Sequence, residues 1–427
     1  MYTFYAYLSD FLENSTFHLF IFFFAYVWLV WILKASLAFR YRPFRDRAGK
    51  TRRLRTTVLV PVFDESPFIF RRVLRGIRIN SPAELIVVVD GGDDRIASIA
   101  SEYADRVIRM PKLGKRAAIA EGLRHSDRST DLVAIVDSDT IWTPTALREL
   151  AEPFADLAVG GVTPRQAIFK RGQNNVRRLA DWMEDLRYNL TVPAQSTVGQ
   201  VGCLAGRTIV YRRSAVEPAV ERLVEQRVLG VAMHVGDDRV LTNELLRRGW
   251  KTVYQRSALV YTDAPNTWRG FWKQQLRWGR SSQRETILSL KWLWRRPFAL
   301  LCFLSDIIIP FLLYAVLVGA VVRIALGRPS PIELPVIMQL GLAYVGMMVS
   351  IGIRQIGHFR RHPGDLPTLP IFVLQLTFFM APIRIIAFAT MFHQAWHTRG
   401  VRRRVSRRNR AVEGERVEGT VAPAGSS

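Results

Sequence analysis

Apolar and polar positions divide the chain into two kinds of territory. Residues 17–33 (FHLFIFFFAYVWLVWIL) form an uncharged aromatic and aliphatic run. Extended by a few residues, such a run crosses a hydrocarbon core of about 30 Å. Further apolar stretches lie at 298–322, 335–353 and 367–391. Between the first run and residue 298 the pattern changes to short β-branched runs alternating with amphipathic ones. Residues 57–62 (TVLVPV), 85–89 (LIVVV) and 132–136 (LVAIV) predict strands, while 66–79 and 115–124 carry helical spacing. That alternation predicts an α/β domain whose mostly parallel sheet is covered on both faces.

The charges beside the apolar runs orient them. The first run starts deep in the chain, without a basic segment before it or a small-residue cleavage site after it, so it reads as a retained anchor. Asp10 and Glu13 precede it, and a basic series from Lys34 to Arg55 follows. The positive-inside rule then places the N-terminus outside and residue 34 onward in the cytoplasm. The basic segments 354–362 and 399–410 make the same demand. Crossings at 298–322 and 335–353 satisfy the first. For the second, 367–391 is expected to break at Pro370 and Pro382 into a bent, re-entrant or interfacial pair. The resulting organisation is an anchor and basic linker (1–54), a cytoplasmic domain (55–267), interfacial amphipathic helices (268–297), a membrane region (298–400) and a basic, disordered tail (401–427).

Composition adds exclusions. Among 427 residues, Lys and Arg number 60 against 36 Asp and Glu, a net charge of +24, yet 49% are apolar. High charge with high hydrophobicity excludes general disorder. Two cysteines, Cys203 and Cys302, exclude a disulfide scaffold and a C-x-x-C zinc site. The basic excess flanks the membrane segments and suits anionic head groups. No nucleic-acid motif accompanies it, so nucleic acid is not an expected partner.

Candidate chemistry gathers after the strands, where ligands bind in such sheets. Asp64 and Glu65 follow the first strand, Asp90, Asp93 and Asp94 the second, Asp137 and Asp139 the third. Any one acid is equally a turn former or a helix cap; three successive strands ending this way point to a site. Asp137-Ser138-Asp139 offers two oxygen ligands suited to Mg²⁺ or Mn²⁺. Gly114-Lys115-Arg116 opens a helix and favours an anion. Asp237 and Asp238 precede a short helix at 240–248, where like charges raise one another's pKa and can make one a base. Gln274-Gln275-Leu276-Arg277-Trp278 lies in a basic, tryptophan-rich stretch suited to the membrane interface, with Arg277 placed for a diphosphate and Trp278 for a sugar face. There is no phosphate-binding glycine loop of the P-loop or dinucleotide type.

VPVFDE, DGGDD, GKR, DSDT, GDDRVLTN and QQLRW occur in this order, an ordered set that resembles processive family 2 glycosyltransferases, hyaluronan synthases in particular, with chitin-oligosaccharide and type 3 capsule synthases related. The likeness runs from about residue 55 to 400. It implies a glycosyltransferase type A domain joined to transmembrane and interfacial helices, in a multi-pass protein of the plasma membrane. It further implies UDP-sugar donors, a growing polysaccharide, a lipid bilayer and Mn²⁺ or Mg²⁺, with no obligate protein partner. By the resemblance Asp64 and Asp90 contact uridine, Lys115 and Arg116 the nucleotide, and Asp137 and Asp139 the nucleotide and metal. Asp238 matches the catalytic base, with Asp237 beside it. Gln274, Arg277 and Trp278 match the diphosphate contact and acceptor platform, and Trp396 and Arg399 belong to a gating motif. Three features depart from the family: His397 replaces the gating glycine, 202–211 lacks the usual Ser-Gly-Pro-Leu-type segment, and one N-terminal anchor replaces two. The activities left open are a non-processive transferase acting on a membrane lipid and synthases joining other sugars.

Overall fold

The computed structural model describes residues 2–228, 230–233, 235–325 and 335–393. The chain begins with α1 (Tyr2–Arg40) and enters the sheet domain through β1 (Thr56–Val62), α2 (Pro67–Ile79), β2 (Glu84–Asp90), α3 (Asp94–Ser101), β3 (Arg106–Met110), α4 (Lys115–Arg124) and β4 (Leu132–Val136). The domain continues through β5 (Ile141–Trp142), α5 (Ala146–Ala151), β6 (Val159–Ile168), α6 (Asn175–Leu186), α7 (Val192–Thr197), β7 (Thr208–Arg212) and α8 (Arg213–Glu225). A small hairpin, β8 (Arg227–Val228) and β9 (Val231–Ala232), leads to α9 (Asp237–Arg247) and β10 (Lys251–Thr262). Then come α10 (Trp268–Leu293), α11 (Pro297–Ala325), α12 (Val336–Arg354), α13 (Ile356–Arg361), α14 (Leu369–Gln375) and α15 (Ala381–Ala389).

The main sheet has eight strands in the order β3-β2-β1-β4-β7-β6-β10-β5. Its first four strands run parallel, and β7 lies antiparallel to both β4 and β6. The strands were expected from continuous apolar runs because both faces are covered. Val58, Val60, Val62, Leu85, Val87 and Val89 face one core with α2 and α3. Their neighbours Leu59, Ile86 and Val88 face the other, with α4, α8 and α9.

Strand order reverses between β1 and β4, the place where such sheets open a crevice. The β1–β2 ladder continues to Val62↔Val89, but the β1–β4 ladder stops at Leu59↔Ile135. Pro61 lies just beyond that stop and has no N–H to extend a ladder. The acids after β1, β2 and β4 border this opening.

Among the described residues, three helical runs are long and apolar enough to cross a membrane: His18–Arg40, Pro297–Ala325 and Pro363–Ala389. α12 offers a shorter apolar segment, Leu340–Arg354. The break expected in 367–391 is absent. Residues 363–389 are continuously helical, with a π turn at 376–380 between α14 and α15. Pro370 follows the 3-10 turn at 363–368 and Pro382 the π turn, so each sits where the helical register changes and a missing N–H is accommodated without a break. This run lies along α10: Phe379 contacts Trp268 and Trp272 at ring-centroid distances of 5.4 and 5.0 Å. A Cβ built on Gly279 would stand 2.8 Å from the Ala387 Cβ, and Gln283 Nε2 donates to the Arg384 carbonyl at 3.0 Å.

Both ends of the run are tied to the sheet domain or to its neighbour α10. At the start, Asp365 accepts from Arg171 and Arg178. His358, buried and stacked on Trp182, places its two ring nitrogens 2.9 Å from Asp185 and 3.0 Å from Asp365. At the far end, Arg280 Nε donates to Thr390 Oγ1 at 2.9 Å.

Candidate active site

The site is assembled from turns that follow strands and from the first turns of two helices. After β1, Asp64 is exposed in a left-handed conformation (φ 47°). After β2, Asp90 is buried and bound to backbone: Oδ1 accepts from the Leu113 N–H at 2.7 Å and Oδ2 from Gly114 at 3.0 Å. Asp90 therefore fixes the loop that delivers Lys115 to the first turn of α4. After β4, Asp137 to Thr140 form a tight turn closed by the Thr140 N–H on the Asp137 carbonyl (3.1 Å).

Lys115 joins these elements to α9. Its ammonium lies 2.6 Å from Asp137 Oδ1 and 2.9 Å from Asp237 Oδ2. Burial would strip its proton, but the two carboxylates outweigh that and hold its pKa well above the ordinary lysine value. Arg116, next to it, points the other way. Its guanidinium is buried and donates to the Leu223 carbonyl, Gln226 Oε1 and the Val235 carbonyl, so it braces α4 against α8.

Helix α9 begins at Asp237, three residues earlier than the sequence pattern predicted, because Gly236 supplies a left-handed N-cap (φ 89°). A Cβ there would lie 1.9 Å from the Ser281 hydroxyl of α10, so only glycine lets the two helices meet. Both acids occupy the first turn, and neither caps the helix with its side chain. Their environments push them apart. Burial would raise the Asp237 carboxyl, but Lys115 and Arg116 bring it below the usual range. Asp238 is raised, first by burial and then by the negative charge of Asp237, against the smaller opposing pull of Lys115 and backbone N–H groups. Those donors are Gly206 N–H to Oδ2 (3.2 Å) and Arg239 N–H to Oδ1 (2.8 Å). Such a split is the arrangement in which one carboxylate can serve as a counter-ion and the other can accept a proton.

The segment 202–208, which sequence reasoning singled out only as a departure, forms one wall. Gly206 touches both sides of the cluster: a Cβ there would stand 3.3 Å from Asp238 Cβ and 3.5 Å from Lys115 Nζ. Cys203 Sγ lies 3.8 Å from Asp238 Oδ2, and its thiol is pushed up to about 11 by burial and by Asp238, so it stays protonated. Arg207, missed by sequence reasoning, sets its guanidinium 5.3 Å from the Trp278 ring centroid and is held by Gln166 (2.9 Å) and Glu184 (2.7 Å). Its own carbonyl accepts the Asp137 N–H at 3.0 Å. Arg207 thus links the Asp137 turn to the tryptophan of α10. Gln274 and Trp278 stand one turn apart on that helix and, like Arg277, are half-buried. Trp396 and Arg399 lie outside the described residues.

Asp137 and Asp139 supply hard oxygen donors at the crevice edge, half-buried and two residues apart. This donor set fits Mg²⁺ or Mn²⁺ and offers no sulfur or imidazole that would favour a softer ion.

Comparisons with known proteins agree with this assembly. The family described as "Glycosyltransferase like family 2" matches residues 53–281, more than half of the chain. A hyaluronan synthase of Streptococcus pyogenes is 28% identical over 379 residues, covering 86% of this chain and 88% of that protein. An N-acetylglucosaminyltransferase of Mesorhizobium japonicum is 34% identical over 244 residues, 55% of this chain and 57% of that one. Among solved structures, a mannosyltransferase from Pyrobaculum calidifontis in complex with GDP-Man and Mn²⁺ superposes with a TM-score of 0.58 at 18% identity, covering 86% of this chain and 99% of that one, which supports the fold. The chain belongs to glycosyltransferase family 2, and it is a transferase similar to hyaluronan synthases whose type A domain is joined to helices able to enter a membrane.

Proposed function

We propose that this protein is a membrane-integrated, processive, inverting glycosyltransferase of the plasma membrane. It polymerises UDP-sugars, UDP-N-acetylglucosamine and UDP-glucuronate by the likeness to hyaluronan synthases, and passes the product outward through its own helices. The observation that carries this is the division of labour between Asp237 and Asp238 beside Lys115, Arg207 and Trp278. Asp238 takes the proton of the acceptor hydroxyl as that oxygen attacks the anomeric carbon and the bond to UDP breaks. One displacement inverts the centre and needs no carboxylate nucleophile. Lys115 and Arg277 offset charge on the departing diphosphate. Asp137 and Asp139 would hold a divalent cation, which supplies Lewis-acid assistance to that departure when bound. Trp278 offers the acceptor sugar a flat face.

Processivity follows from desolvation: a hydroxyl-rich polymer cannot leave through hydrocarbon without a polar path, so synthesis and export are joined in one chain. The similarity to an N-acetylglucosaminyltransferase favours, as a second reading, a synthase of N-acetylglucosamine oligomers. Incubation with UDP-sugars singly and in pairs separates the two: a polymer that requires both glucuronate and N-acetylglucosamine supports the first, and one made from N-acetylglucosamine alone supports the second. The mechanism is tested by Asp238→Asn, which abolishes polymer formation while UDP affinity stays near that of the wild type. Unchanged polymer output would exclude Asp238 as the base.

A further inference from the structure

Arg239 directly follows Asp238 and is buried. Its backbone N–H is one of the two that hold the Asp238 carboxylate. Its guanidinium reaches in three directions. Nη1 donates to the Gly202 carbonyl at 2.8 Å, at the start of the segment whose Gly206 provides the other N–H. Nη2 donates to Thr286 Oγ1 of α10 at 3.2 Å. Cζ lies 3.5 Å from the centroid of the Phe303 ring of α11. That ring is buried and pressed against Gly202, where a Cβ would stand 2.1 Å from it. Both backbone donors to Asp238 therefore belong to segments gripped around one aromatic ring of a helix long and apolar enough to cross the membrane.

We propose that Arg239 and Phe303 form a joint through which α11 positions the Asp238 carboxylate, making Arg239 a positioning residue for glycosyl transfer. A desolvated cation held face-on to a ring is a directional contact, and displacing the ring moves the guanidinium it stacks on. The consequence is that the position of α11 is felt at Asp238, which lies in the sheet domain. A change of α11 during export would be registered at the transfer step. The inference rests on Asp238 being the base.

The test uses the full chain in detergent or nanodiscs, with UDP release, UDP binding and thermal unfolding measured together. Phe303→Leu retains apolar volume and removes the ring face. It is expected to lower kcat by at least about tenfold while KM for the donor and UDP affinity stay within about twofold. Arg239→Met is expected to do the same, and Arg239→Lys, which keeps the charge, to retain more kcat than Arg239→Met. The double variant Phe303→Leu with Arg239→Met should be no slower than the slower single one. A smaller kcat loss in Phe303→Leu, a matching loss of UDP affinity, or multiplying losses in the double variant would overturn the joint. If Phe303→Leu unfolds, the Lys and Met variants at 239 decide, and equal losses in the two overturn it. Asp238→Asn in the same assay separates the two ideas: activity there removes the base assignment, whereas an inactive Asp238→Asn beside an unimpaired Phe303→Leu removes the joint alone.

Discussion

Asp237 and Asp238 are adjacent, identical in type and both half-buried, yet Lys115 faces one and two backbone N–H groups face the other. The base form of Asp238 exists above its raised pKa and is lost as pH falls through it. The acid limb of kcat/KM should therefore lie above the ordinary carboxylate range. In Asp237→Asn the like charge is gone and Lys115 is released from it, both of which lower the Asp238 pKa. The acid limb is then expected to move to lower pH, and a limb unmoved or raised in a pH series of UDP release would contradict the assignment. Asp139→Asn is expected to weaken metal-dependent UDP binding; equal affinity with and without Mn²⁺ in the wild type would count against a ligand role. At this scale the sequence located the acids after their strands, because that is a matter of order along the chain. It disclosed the cations less well. Lys115 and Arg116 are neighbours on a helix and so point about 100° apart, one to the site and one into the core. Arg207 belongs to no periodic pattern, and only its proximity to Trp278 reveals it.

Among elements, the strands were legible because β-branched runs buried on both faces have few alternatives. The start of α9 was not, since a left-handed glycine cap depends on the approach of α10 at Ser281, a contact remote in sequence. The run 363–389 was misjudged as broken because proline position was weighed without the preceding helical turn that carries the chain through it. The junction at its start is dense in charge. Burial would raise the Asp185 carboxyl, but His358 and Arg361 hold it well below the usual range, and Arg361 lies 2.9 Å away. Asp185→Asn leaves Arg361 without its anion, while His358 keeps Asp365. It is expected to destabilise the junction by about 1–3 kcal/mol, read as a lower midpoint in thermal unfolding, and an unchanged midpoint would show that the network is dispensable.

For the whole molecule, the contacts of 363–389 bear on topology. Its two ends touch Arg171 and Arg178 of the sheet domain and Arg280 of α10, while its second half follows α10 side by side. We infer an interfacial placement for it, with both ends on the cytoplasmic side, which matches the position demanded by the basic residues at 399–410. In a chain whose two native cysteines are replaced, Arg47→Cys and His393→Cys should react with a membrane-impermeant maleimide only after cells are permeabilised, and Asn14→Cys in intact cells. Labelling of His393→Cys in intact cells would require a full crossing instead. The lysine bridge gives this architecture one more property. Lys115 is the counter-charge that lets Asp137 and Asp237 stand together. In the proposed reaction a donor arriving with its own ions competes for that place, and the departing UDP surrenders it. Each cycle of addition is then an exchange of partners at a site that stays assembled, so the enzyme can return to readiness between sugars without rebuilding its walls.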